Sequence, residues 1–189
     1  MTATDRSAEL LSRLLEGLLD DPRRLELDAT PLPRRVNWRV KVSFNDAGKL
    51  CGKGGEHIKS LIVLVRLLGE RHGEQWILEV LDPDQGERVE NLPIPDAPAH
   101  LPGESLRLLY ELLAEILTAP AVVKVTQTGG KPLVFNFEIR PANVQDYELL
   151  VTAVPVQRTE LTPVAALGTL FRALGRQQGV SYRVEVPGR

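Results

Sequence analysis

The chain has 189 residues, 43% of them hydrophobic and 25% charged, the make-up of a globular protein of one large domain or two small ones. Its formal net charge of −2 argues against a polyanion binder over its whole surface. No stretch reaches the roughly 20 apolar residues of a membrane span, and the single cysteine, Cys51, excludes an internal disulfide.

The longest apolar run, Leu61 to Leu68, is broken by Arg66, so no membrane association is expected. Met1–Arg6 lacks the basic-then-apolar order of a secretory signal, and a lone thiol suits a reducing cytoplasm, the expected location. His57, His72, His100 and Cys51 are too scattered to form a spaced metal-ligand set, so neither metal nor cofactor is expected.

In chain order, Ser7 is a candidate cap for a helix with a broad apolar stripe of Leu10, Leu11, Leu14, Leu15, Leu18 and Leu19. Asp20-Asp21-Pro22 ends it, and Leu25–Leu27 reads as a short strand before a Pro-containing turn. Val36 to Phe44 alternates as a half-buried strand, with Val36, Trp38, Val40, Val42 and Phe44 inward and Arg39 and Lys41 on a cationic outer side. Trp38 is expected to be a core residue. Asn45 can cap a very short helix ending at Gly52. A second helix spans about Glu56 to Glu70 with Ile58, Leu61, Ile62, Val65 and Leu68 inward, and Trp76–Leu81 reads as the closing strand. His57 is expected on the solvent side of that helix.

From Asp82 to Gly103 five prolines punctuate a polar stretch without periodicity, the mark of a linker. The predicted division is therefore 1–84, a linker over 85–103, and 104–189. Downstream the opening pattern returns: Leu10-Leu11…Pro22-x-x-Leu25 meets Leu108-Leu109…Pro120-x-x-Val123 at a constant spacing. An amphipathic helix carries Leu106, Leu109, Tyr110, Leu113, Ile116 and Leu117. Strands are predicted over Val122–Thr126 and Leu133–Ile139, joined through Gly129-Gly130. Tyr147–Val156 is a further strand candidate. Thr162-Pro163 opens a helix through Leu174, closed by Gly175, and Tyr182–Val186 reads as the last strand. Leu64-Val65-Arg66-Leu67-Leu68-Gly69 is echoed by Leu170-Phe171-Arg172-Ala173-Leu174-Gly175, which suggests a duplicated module.

The run Gly48-Lys49-Leu50-Cys51-Gly52-Lys53-Gly54-Gly55-Glu56-His57-Ile58-Lys59-Ser60-Leu61 places a G-x-x-G loop between two short helices. Glycines at 52 and 55 allow a tight turn and close backbone approach to a phosphate, and the following helix directs its N-terminal dipole there. Lys53 supplies a cation, Gly54 makes the loop pliable, and Lys49 and Lys59 line the approaches.

This segment, from about Ser7 to Pro83, resembles KH domains of type II, in the order α-β-β-α-α-β, and within them the small bacterial KH RNA-binding proteins of the KhpA type. The resemblance implies an α+β chain of two small modules. The first would be a three-stranded sheet packed by helices; the second would be a KH-like repeat. It further implies that bases lie in an apolar groove beside the loop, for which Leu50, Cys51, Ile58 and Ile62 are candidates, with about four nucleotides per module. Cys51 would be a small buried apolar group. Aligning Leu64 with Leu170 puts Arg158, Thr159, Glu160 and Leu161 at the G-x-x-G positions, so the second module is expected to have lost the loop and to serve a structural role.

Charge distribution agrees. From Arg34 to Arg71 nine basic residues face three acidic ones, a local excess of +6 in an otherwise acidic chain. The expected partner is single-stranded RNA, with DNA not excluded, and a homodimer or second KH protein is a further expected partner. The expected role is post-transcriptional regulation or RNA chaperoning. The alternative is a protein-interaction or dimerisation module without nucleic-acid affinity. No nucleophile–base pair or Walker-type loop argues for an enzyme.

Overall fold

A computed structural model describes residues 3–81 and 102–188. The Pro-rich stretch expected as a linker lies outside the described residues apart from its last two positions, which open a helix. The first half runs α1 (Ala3–Glu16), β1 (Glu26–Leu32), β2 (Arg35–Lys41), α2 (Phe44–Cys51), α3 (Glu56–Arg71) and β3 (Gln75–Val80). The second runs α4 (Pro102–Ile116), β4 (Val122–Thr128), β5 (Val134–Arg140), α5 (Val144–Val151), β6 (Val154–Val156), β7 (Thr159–Leu161), α6 (Pro163–Gln177) and β8 (Ser181–Glu185). The chain is α+β.

Both halves build the same sheet. β2 pairs antiparallel with β1 and parallel with β3; β5 pairs antiparallel with β4 and parallel with β8. A parallel neighbour demands a crossover, and in each half a helical crossover covers one sheet face. The alternation of Val36, Trp38 and Val40 turns those side chains to the helices, where they are buried. Trp38 meets Trp76 at 5.2 Å between ring centroids, and their counterparts Phe137 and Tyr182 also meet at 5.2 Å. β1 tolerates Pro31 because it is an edge strand with one partner.

The leucine stripe of α1, Leu10, Leu11, Leu14, Leu15, Leu18 and Leu19, is buried throughout, as are Leu108, Leu109, Leu112, Leu113, Ile116 and Leu117 at the corresponding positions of α4 and its exit. Each stripe is broad because it covers its own sheet and also meets the other half. α1 lies on α4, and α3 lies on α6. Equivalent elements that pair with each other define an isologous, two-fold arrangement. Arg13 of α1 forms an ion pair with Glu111, the residue at its own counterpart position in α4, so these two side chains sit at the internal axis. Buried residues of both halves join in one hydrophobic core.

Two polar devices repeat. The carboxylate of Asp46 in α2 accepts the N–H groups of Asp20 and Asp21 at 2.8 and 3.1 Å. Asp146 in α5 accepts those of Thr118 and Ala119 at 2.9 and 3.0 Å. Each aspartate thus ties the exit of its half's first helix to the start of the second. Gly69 and Gly175 lie inside α3 and α6, where the returning chain crosses. A Cβ at Gly69 would come within 2.8 Å of the Glu74 carbonyl, and one at Gly175 within 2.8 Å of the Val180 carbonyl.

Several expectations are corrected. Ser7 lies within α1 and is buried, so it caps nothing. Ser43, not Asn45, caps α2, its hydroxyl accepting the Asp46 N–H. β1 extends to Leu32 rather than stopping at Leu27. The region from Tyr147 is helical to Val151, because Asn143 caps α5, and only Val154–Val156 is extended. Gly175 does not end α6, which continues to Gln177. In α3 the buried face also takes in Val63, Leu64 and Leu67, since α6 covers a side that a lone module would leave to water.

Candidate nucleic-acid interface

α2 ends where Gly52 turns to φ 71°, its N–H still bonded to the Gly48 carbonyl at 3.0 Å. Gly54 and Gly55 follow at φ 65° and 77°, so three of four loop residues occupy the left-handed region that glycine enters without cost. Gly52 is doubly constrained, since a Cβ there would meet the His57 ring at 2.7 Å. Nothing lies within 4 Å of a Cβ built on Gly54, at the tip of the turn.

The loop is braced from α3. His57 Nδ1 lies 2.6 Å from the Lys49 carbonyl, which only accepts, so Nδ1 donates and closes the last turn of α2. His57 is therefore half-buried and positions the loop, contrary to the expected solvent-side place. Its contact spans eight residues and a reversal of direction, which no local pattern reveals. Lys59 Nζ donates to the Gly54 carbonyl at 3.1 Å, setting an ammonium against the loop. Lys53 is exposed, with no ion-pair partner among the described residues.

What distinguishes α3 is its start. α2, α5 and α6 begin with Ser43, Asn143 and Thr162, whose side chains each accept a first-turn N–H. α3 begins with Gly55 and has no side-chain cap. The Glu56 N–H donates to the Lys53 carbonyl, but the other first-turn N–H groups lack the side-chain acceptor that those three helices carry, behind a glycine turn that bears Lys53 and receives the Lys59 ammonium. Such an end attracts an anion. Glu56, exposed in the first turn, is the one acidic group of this turn.

The other expected site residues fall differently. Leu50 is wholly buried and belongs to the core, so it is not a groove wall. Cys51, expected to be buried, is exposed. Ile58 and Ile62 are half-buried at the core's edge on α3, and Ile58 lies against Gly55 of the loop. Lys49 is ion-paired with Asp20, which draws it toward the exit of α1. Arg39 and Lys41 lie on the sheet face away from the helices and pair across strands, with Glu79 at 3.4 Å and Glu26 at 3.8 Å. The strand registers set those carboxylates directly opposite them. Arg39 and Lys41 are therefore separated from the loop by the thickness of the sheet.

In the second half the connection between α5 and α6 is a β-hairpin, β6–β7, turning through Gln157 at φ 55° and Arg158. The glycine loop has no counterpart there. Among the described residues no three His, Cys, Asp or Glu side chains gather as a metal site, and no helix is long and apolar enough to cross a membrane. A scan against protein-family models finds no match to this sequence, and a search of the curated proteins finds none either.

Proposed function

We propose that this protein binds single-stranded RNA through the Gly52–Gly55 loop, as a KH-type module whose second copy has given up the loop. The observation that carries the reading is the start of α3, without a side-chain cap, behind three left-handed glycines, with Lys53 exposed and unpaired among the described residues and Lys59 held on the loop. A phosphate placed there gains backbone N–H donors, the helix dipole and a nearby ammonium together. Bases following the strand then rest on Cys51, Ile58 and Ile62, which offer shape and apolar contact rather than hydrogen bonds. Recognition is accordingly tolerant of base sequence and suits a regulator or chaperone of RNA. The α-β-β-α-α-β order, with β3 parallel to the central β2, supports the KH likeness.

The test is fluorescence anisotropy of labelled single-stranded RNA and DNA of the same sequence, titrated with the whole chain. Binding through about three phosphates gives a logarithmic salt slope near −2, a roughly 20-fold loss of affinity between ~50 and ~200 mM salt. RNA is expected to bind more tightly than DNA. Absence of binding at ~50 mM salt overturns the proposal in favour of a protein-interaction module.

A further inference from the structure

We infer that the second half supplies Arg172 and Arg176 of α6 to the phosphate track that begins at the first half's loop. The inference rests on the RNA-binding reading above and adds a second contact to it.

The internal two-fold carries the argument. Arg66 of α3 donates to the Pro155 carbonyl at 2.6 Å. Pro155 stands in β6, within the connection from α5 to α6. The residue equivalent to Arg66 is Arg172, third in the six-residue echo of the two helices. Because α3 and α6 pack on each other as equivalent elements, the relation repeats in reverse. As Arg66 faces the connection between α5 and α6, Arg172 faces the one between α2 and α3, which is the glycine loop.

Direct contacts agree on the direction. A Cβ at Gly17, just past α1, would run into Leu174 of α6. Gln177 Nε2 donates to the Leu18 carbonyl at 3.5 Å and to the Asp20 carboxylate at 3.3 Å. Asp20 in turn pairs with Lys49, one turn before Gly52. The C-terminal end of α6 is thus tied to the end of α2.

The two equivalent arginines differ in what they meet. The hairpin gives Arg66 a carbonyl, whereas the glycine loop is short and gives Arg172 none. Among the described residues Arg172 and Arg176 have neither an ion pair nor a side-chain hydrogen bond, and both are exposed. Several other cations are neutralised, Arg6 by Glu115, Arg13 and Arg107 by Glu111, Arg39 by Glu79, Arg140 by Glu138, while Lys124 and Arg183 on the second sheet are likewise exposed and without an ion pair among the described residues. Two such guanidiniums, on the side of α6 that the two-fold relation turns toward the loop, fit the next phosphates of a bound strand. Of the acidic groups at this end, Asp20 and Glu56 are turned to Lys49 and His57, Asp21 to Arg23 and Arg24, and buried Asp46 to the Asp20 and Asp21 N–H groups.

The experiment compares an RNA of about four nucleotides, enough for the loop alone, with one about three times longer. Three variants of the whole chain are titrated: Arg172→Ala/Arg176→Ala, Lys53→Asp/Gly54→Asp, and Lys124→Ala/Arg183→Ala as a charge control on the second sheet. The α6 variant is expected to bind the short RNA as the wild type does. It should bind the long RNA about 10-fold more weakly, with a salt slope shallower by about 1.4, the share of two phosphates on a single strand. Wild-type affinity and slope of the α6 variant on the long RNA, with binding abolished in the loop variant, overturn this inference and leave the RNA reading standing. An equal loss in the charge control overturns it too, as a long-range field effect. Wild-type binding by the loop variant overturns the reading itself, and this inference with it.

Discussion

Replacing Lys53 and Gly54 together by aspartate is expected to weaken single-stranded RNA binding by at least about 100-fold, or about 2.7 kcal/mol, with little change in fold stability. The substitution removes the Lys53 cation and sets two carboxylates before the start of α3, where a phosphate would have to approach them. Folding is spared because nothing lies within 4 Å of a Cβ at Gly54, and aspartate tolerates left-handed backbone better than most residues. Among the described residues Lys53 forms no ion pair that its loss would break. Anisotropy titration measures the first effect. Thermal melting followed by the buried Trp38 and Trp76 measures the second. A variant that melts like the wild type and still binds RNA as tightly would remove the loop from the site.

The largest loss of stability from a single polar substitution is expected at Asp146. Its buried carboxylate accepts the Thr118 N–H and hydroxyl, the Ala119 N–H and the Asn143 amide. Asp146→Ala leaves these donors unmet inside the fold and should cost roughly 2–4 kcal/mol, read as a shift in urea midpoint by circular dichroism. Burial opposes ionisation of Asp146, and the Thr118, Ala119 and Asn143 donors outweigh it, holding the carboxyl below its ordinary value. Since the folded state has the lower pKa, the contribution is complete above the unfolded value, near ~3.9, and is lost as pH falls through the folded one. Glu111 acts in the same sense: burial raises its pKa, and Arg107 and Arg13 outweigh that. The wild type should therefore lose stability in acid as pH falls below about 4.5, the ordinary value for Glu111. Asp146→Asn, less stable at neutral pH, should show a shallower acid limb. Parallel limbs in the two proteins would show that this carboxylate does not carry the acid sensitivity.

Much of this architecture is legible in the residues because its signals are local. The leucine stripes of α1 and α4, the alternation of β2 and the Gly-Lys-Gly-Gly turn each follow from periodicity or backbone chemistry within a few residues. The repeat is legible where side chains meet their own counterparts, as with the leucines, and in Leu64–Gly69 against Leu170–Gly175. Long-range matters were hidden. Tyr147-Glu148-Leu149-Leu150-Val151-Thr152 has a strand-like composition, yet the Asn143 cap and the tether from Asp146 to the exit of α4 make most of it helical. In an eight-residue helix two turns leave the inward face ambiguous, so Leu50 and Cys51 exchanged their expected places. Arg39 and Lys41 read as a cationic surface until the strand register sets Glu79 and Glu26 beside them. The embrace of the two halves buries a face of α3 that a module standing alone would expose.

The central claim, that the Gly52–Gly55 turn and the start of α3 hold the phosphate, is tested most directly by following the backbone amides of ¹⁵N-labelled protein by NMR as single-stranded RNA is added. The account predicts that the largest shift changes fall on Gly52 to His57, with smaller ones at Ile58 and Ile62 and in the C-terminal turns of α6. Changes confined to the outer sheet face around Arg39 and Lys41, with the glycine amides unmoved while RNA is bound, would contradict it.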